Sequence, residues 1–224
     1  MKIFTYESKF SQFMLKICMG CYLNLLWMIA SIPIFTMGAA TAAMYRVSLK
    51  IARDEDPGIL TQFIKGFKQN FRQATIAWLI MLGLGGLLAG DGYIIYHLYR
   101  SFTGPIAIVV TIATAFIIAA AVVYTIVLIY LFPLIASVEN TTFNMFKNSF
   151  LIGVRYLFCT ILVFAIHFAM FFAVVAIFTP LIIFGIGACA LLSSYLLANV
   201  ITACSYDPNQ TEAIETEEET EEEA

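Results

Sequence analysis

The chain lacks charge where a water-soluble surface would need it. Between Arg155 and Asp207 there is no Asp, Glu, Lys or Arg, and a second such gap runs from Arg100 to Glu139. Only 12% of the 224 residues are charged, against about 25% in soluble domains. A soluble surface is kept wet by charges every few residues, so gaps of this length exclude one. Histidine is equally scarce, with His97 and His167 the two in the chain. No HExxH, Walker or dinucleotide-binding pattern occurs. Two histidines and one isolated intramembrane carboxylate, Asp91, do not build a hydrolase site. The expectation is a protein that is not an enzyme and uses no metal and no cofactor.

What the chain does have is apolar: 61% of residues are hydrophobic, including 20 Phe and 11 Tyr. The net charge of −3 hides an uneven distribution. Most of the acid sits in the tail EAIETEEETEEEA, and the Lys and Arg gather in short connections, a pattern that speaks of membrane orientation and not of nucleic acid. Of the five cysteines, Cys18 and Cys21 form a CxxC, but the redox reading needs a βαβ context that is missing. They read as small apolar residues entering a membrane helix. The uncharged run from Ile17 to Tyr45 exceeds the 7–15 residues of a signal-peptide apolar region, so it is expected to stay as a membrane segment.

A membrane-spanning helix needs about 20 apolar residues. Five segments supply them, near 17–38, 73–99, 104–131, 156–178 and 181–203. A hairpin at Thr179-Pro180 separates the last two, because a single rod of that length would be over twice the hydrocarbon thickness. Between the spans, Arg46, Lys50 and Arg53 recur at helical spacing. Asp56 and Pro57 make a good N-cap and first helical residue. The following segment separates Phe63, Phe67 and Phe71 from Lys65, Lys68 and Arg72. Amphipathic surface helices are therefore expected near 39–53, 57–71 and 139–150, with Arg46, Lys50, Arg53, Lys65, Lys68, Arg72 and Lys147 toward lipid headgroups. The fold class is all-α: a polytopic membrane helix bundle over 1–206 with interfacial helices, then a disordered acidic tail over 207–224. Phe67-Lys68-x-x-Phe71 recurs as Phe146-Lys147-x-x-Phe150, which hints at a repeated unit of span, surface helix and span.

Counting Lys and Arg in the connections places the first and third loops in the cytoplasm. That puts the acidic tail inside and the N-terminus outside, where Lys2, Lys9 and Lys16 break the rule. A first segment bent at Pro33 and Gly38 would instead return the N-terminus to the cytoplasmic side.

Polar groups at membrane depth are costly, so each asks for a reason. Asp91 reads either as a helix-end residue reaching water or as part of an outward polar cluster with His97 and Arg100. His167 reads as a helix–helix hydrogen-bonding group or a proton-relay group. Gly83, Gly86 and Gly90 thin one side of the second span and permit close helix approach.

The segments Asn24-Leu25-Leu26-Trp27, Ser31 to Tyr45 (SIPIFTMGAATAAMY), Arg53-Asp54-Glu55 and Phe67 to Thr75 (FKQNFRQAT) resemble the YesL-like family of uncharacterised bacterial integral membrane proteins. Asn24, Pro33, Thr36, Gly38, Thr41 and Tyr45 are the motif positions. The resemblance covers the first 80 residues by motif and the remainder by hydropathy, and the acidic tail departs from the family pattern. It implies a multi-pass protein of the bacterial cell membrane, often found beside carbohydrate uptake and degradation systems, and it transfers no catalytic residue. The expected function is a non-enzymatic accessory or regulatory role in carbohydrate uptake, with the lipid bilayer and transporter permease subunits as partners. A small transporter or channel in its own right is the alternative.

Overall fold

The computed structural model describes residues 9–55, 58–101, 105–176 and 182–205. Every element among them is helical. In order they are α1 (Lys9–Ala30), a single 3-10 turn (Ile34–Thr36), α2 (Met37–Ala52), α3 (Ile59–Ser101), α4 (Pro105–Ser137), α5 (Thr142–Arg155), α6 (Leu157–Ala176) and α7 (Ile182–Ser205). Four helices are long and apolar enough to cross a membrane, within Ile59–Leu98, Ala107–Ser137, Leu157–Ala176 and Gly185–Thr202. A shorter apolar run, Met14–Ala30, lies in α1. The Asp56-Pro57 cap, the Thr179-Pro180 hairpin and the acidic tail lie outside the described residues.

The first expected span, 17–38, is divided. α1 stops at Ala30 because Pro33 cannot continue a helix, and the chain reverses into α2. Two contacts fix the α1–α2 pair as an antiparallel hairpin. At the turn, Trp27 Nε1 donates to Thr41 Oγ1 at 3.0 Å. At the other end, Lys16 Nζ lies 2.9 Å from Asp54 Oδ1. The start of α1 therefore sits at the same end of the bundle as the basic residues that close α2. This overturns the orientation with the N-terminus opposite the first basic loop. The bent first segment is the arrangement found.

α2 is the largest departure from expectation. The cation pattern over 39–53 predicts a surface helix, yet Ala39, Ala40, Ala42, Ala43, Met44, Tyr45, Val47, Ser48, Leu49 and Ile51 are all buried. The helix packs against α3, α7, α4 and α1, so it is the axis of the bundle. Its alanines let the neighbours come close, which is how helices associate where lipid removes the hydrophobic drive between them. Arg46, Lys50 and Arg53 do form one stripe, but the stripe faces a cavity between helices.

The segments near 57–71 and 73–99 are one continuous α3 of 43 residues, roughly 65 Å long and over twice the hydrocarbon thickness. Its first half runs antiparallel to α2, with Gly66 against Ala43 and Gly38 against Ala74. Its second half passes the α1–α2 turn and pairs with α4, where Gly85 meets the Tyr124 ring and Trp78 packs at a tilt on Phe132, ring centroids 6.3 Å apart. α4 carries Pro133 inside the helix, so the span expected at 104–131 runs on to Ser137. α5 matches the surface segment expected near 139–150 in being a separate helix. It buries Met145, Ser149 and Gly153 against the bundle and leaves Phe143, Lys147 and Phe150 exposed. Both Phe-Lys-x-x-Phe copies lie on helices that fold back on the preceding one, α3 on α2 and α5 on α4.

α7 closes the bundle, antiparallel to α1 and to α6. Exposed large apolar residues cover α1 and the turn after it, the second half of α3, the first half of α4 and α6, including Ile29, Leu87, Ile108, Phe116, Phe158 and Phe171. That belt is the surface lipid would cover. In a background without native cysteines, single Cys residues at positions 16 and 55 should react with an impermeant maleimide from the same side of the membrane. Reaction from opposite sides would contradict the hairpin.

Candidate functional site

The residues that carry the sequence motif build the hairpin and seat it. Pro33 opens the 3-10 turn in extended conformation, and Thr36 Oγ1 donates within the turn, 2.6 Å from the Ala30 carbonyl and 2.7 Å from that of Pro33. Trp78 Nε1 donates to the Ile34 carbonyl at 2.9 Å, joining the turn to α3. Asn24 is fully buried and its Oδ1 accepts from the Gly187 N–H of α7 at 2.9 Å. Interhelical polar contacts of this kind contribute about 0.6–1.7 kcal/mol each in a membrane. A Cβ on Gly187 would lie 2.5 Å from the Gly20 carbonyl oxygen and 2.8 Å from Asn24 Cβ. One on Gly38 would strike the Ala74 carbonyl and lie 2.5 Å from Trp78 Cβ. Thr41 relays from Trp27 to the Met37 carbonyl, and Tyr45 is buried where α2 meets α7. Glycines 83, 86 and 90, the expected close-approach face, would place a Cβ with nothing within 4 Å. The close approaches fall at Gly20, Gly38, Gly66, Gly85, Gly153 and Gly187 instead.

The turn after α2 ties this frame to the basic end. Glu55 N–H bonds to the Lys50 carbonyl and Asp54 N–H to that of Ile51, the Schellman pattern of helix ends. Asp54 takes φ 56°, a left-handed conformation that Asp tolerates better than most residues, and its carboxylate meets Lys16.

At that end a cavity of about 770 Å³ opens between the last turns of α2, the first half of α3 and the closing turns of α4 and α7. Arg46, Lys50 and Arg53 line one wall, and Gln69, Asn70 and Gln73 of α3 another. Ser137, Glu139 and Asn140 close α4 and follow it, and Thr202 belongs to α7. The walls hold one another: Arg46 Nη1 donates to Gln69 Oε1 at 2.8 Å and Gln73 Nε2 to the Asn140 carbonyl at 2.7 Å. Arg53 Nη2 reaches Thr202 Oγ1 at 3.4 Å. Lys50 faces Glu55 at 3.7 Å. The amide residues of α3 sit inside the FKQNFRQ stretch, so the spacing i, i+1, i+4 of Gln69, Asn70 and Gln73 was a readable signal that three polar non-charged groups share one face. The contributions of α4 and α7, distant in sequence, had no local signal. Lys65, Lys68 and Arg72 of α3 and Lys147 of α5 are exposed outside this cavity.

The polar residues expected as a cluster are distributed. Asp91 is exposed at the rim of a pocket of about 270 Å³ between α3 and α4, beside Leu88 and Tyr124. His97 meets Tyr93 at 4.5 Å with the rings tilted by 59°, and Tyr96 edge-on at 5.7 Å. His167 lies on α6 with Nδ1 2.9 Å from the Val163 carbonyl of its own helix. α6 packs chiefly on α7, so His167 and the α3 residues belong to different helix pairs. The Arg100 side chain lies outside the described residues. Among the described residues no group of three His, Cys, Asp or Glu could hold a metal ion.

Helices of this length and composition around a small-residue axis define a membrane-spanning helical protein. Within it, residues 21–91 match the family model described as "Protein of unknown function, DUF624". That stretch takes in the hairpin, the turn at Asp54 and α3 as far as Asp91. No curated protein and no solved structure matches the chain.

The geometry separates two kinds of glycine. Gly187→Ala should lower the melting temperature in detergent clearly, since overpacking a close contact costs about 1–3 kcal/mol. Gly86→Ala should leave it unchanged or raise it slightly, because Ala is the better helix former by about 1 kcal/mol. Equal losses in the two variants would refute the assignment of the close helix contacts.

Proposed function

We propose that the chain is a YesL-like protein of the bacterial cell membrane that acts, without catalysis of its own, as an accessory or regulatory partner of a carbohydrate uptake system. The reading rests on the family match across 21–91 taken with the family resemblance of the motif residues. One geometric observation supports an accessory role over a conducting one. Asp91 and His97 both lie on α3 in the α3–α4 pair, while His167 lies on α6, which packs chiefly on α7, so the three are not gathered on one helix pair.

The basic end is assigned to the cytoplasm by the positive-inside rule. Lys16, Arg46, Lys50, Arg53, Lys65, Lys68, Arg72 and Lys147 gather there, and Thr202, in the last turn of α7, lies beside Arg53. The acidic tail that follows is then cytoplasmic too. Transporter permease subunits are the partners in this reading, met in the lipid bilayer through the exposed faces of α3, α4 and α6.

The test is recovery of the protein in mild detergent from cells expressing it at native level. Permease subunits of a carbohydrate transporter should accompany it in stoichiometric amounts; their absence from repeated preparations would remove the reading. A transporter or channel role keeps one supporting observation, the carboxylate of Asp91 rimming the α3–α4 pocket. For that reading, liposomes containing the protein should pass a sugar or ion, and Asp91→Asn should cut the flux at least tenfold. On the accessory reading both proteoliposome preparations are silent.

A further inference from the structure

The cavity at the basic end is furnished for a ligand, and its chemistry is legible. Cations outnumber carboxylates. Arg46, Lys50 and Arg53 face two carboxylates, Glu55 and Glu139, and Glu55 is already engaged by Lys50. Two donor atoms in the walls are shielded from solvent and have no hydrogen-bond partner: Arg46 Nε and Asn70 Nδ2. A buried donor without an acceptor costs about 1–3 kcal/mol, more when charged. Both side chains line the cavity, Arg46 from α2 and Asn70 from α3, and Arg46 is held there by the bond from its Nη1 to Gln69. An arginine fork with one arm fixed and an amide opposite suits the oxygens of a phosphate. The remaining lining, Gln69, Gln73, Asn140, Ser137, Thr202 and Glu139, offers both donors and acceptors of the kind hydroxyl groups use. The closing turns of α2, α4 and α7 also point carbonyl oxygens this way, and their partial negative charge disfavours an anion unless the three cations offset it. That opposition limits the site to a ligand bound through the guanidinium and amide donors, with hydroxyls rather than further charge toward the helix ends.

We propose that this cavity binds a phosphate ester that carries hydroxyl groups. The group reaches it from water as a soluble phosphorylated polyol, or from the membrane as the glycerol phosphate headgroup of a lipid. The site stands independently of the carbohydrate-uptake reading, since it rests on the cavity lining alone.

The full chain is purified in an uncharged detergent and phosphate-free buffer, and titrated calorimetrically with glycerol 3-phosphate. Separately, it is placed in nanodiscs of phosphatidylcholine with or without phosphatidylglycerol, and retained lipid is counted by mass spectrometry. Saturable one-to-one binding is expected in at least one arm. Glycerol 3-phosphate binding without selective lipid retention identifies the soluble source. Selective retention of phosphatidylglycerol, released by glycerol 3-phosphate, identifies the lipid. Arg46→Gln should weaken binding about tenfold or more, and Asn70→Ala, which removes one unpaired donor, should weaken it in the same direction. Lys65→Gln, an exposed cation outside the cavity, should change it less than about twofold. Absence of binding in both arms overturns the proposal. So does glycerol binding as tightly as its phosphate, or Lys65→Gln being as damaging as Arg46→Gln. If Arg46→Gln proves unstable, full-strength binding by Asn70→Ala is sufficient to overturn it.

Discussion

The turn at residues 31–36 has to satisfy its own carbonyl groups on an apolar face, where Ile32, Ile34 and Phe35 are exposed, and the architecture follows from how it does so. An unpaired backbone group at membrane depth costs several kcal/mol. A chain that breaks a helix there needs replacement donors close at hand. Thr36 serves the Ala30 and Pro33 carbonyls from within the turn, and Trp78 serves Ile34 from α3. With those groups met, α1 can stop early and α2 can turn back into the interior. Without them, Met14–Ala30 and the alanine-rich segment after it would be left to run on as one rod.

Once α2 is inside, the other contacts fall into order. Its small residues admit α3 and α7 at close range, and Asn24 with Gly20 and Gly187 locks α1 against α7. The same inward placement carries Arg46, Lys50 and Arg53 to a common wall, facing the amides of α3. The cavity is thus a by-product of the hairpin. Had α2 lain on a surface, its cations would face lipid headgroups and the unpaired nitrogens of Arg46 and Asn70 would be in water.

The class of the fold was plain in the sequence, since only lipid can cover charge-free stretches of this length. The place of α2 was misjudged for a definite reason. A stripe of cations at positions 46, 50 and 53 looks the same whether it faces water, headgroups or an internal cavity, and periodicity alone does not separate these. The continuity of α3 was hidden because the basic face over 65–72 suggested an interfacial helix ending before the next span. The direction of the first helix pair was legible only through Pro33 and Gly38, and the lysine count argued both ways until Lys16 was found against Asp54. Of the candidate site, the cation stripe and the Gln69, Asn70, Gln73 spacing were in the sequence. The closing contributions from residues 137–140 and 201–202 were not, because they arrive through tertiary packing.

α3 joins two regions that otherwise share little. Its first half walls the cavity, and its second half leaves the rest of the bundle with α4 as its companion. Trp78, bonded to the turn on one side and packed at a tilt on Phe132 on the other, lies between the two halves. A helix transmits bending poorly but tilts as a unit, and about 30 Å of it extends from Trp78 to Leu98. A tilt of about 5° would carry that far end roughly 2.6 Å. The glycine-edged face at 83, 86 and 90, with no neighbour in reach, leaves room for such a swing. One continuous helix, with Trp78 near its midpoint, therefore joins a polar cavity to an apolar helix pair.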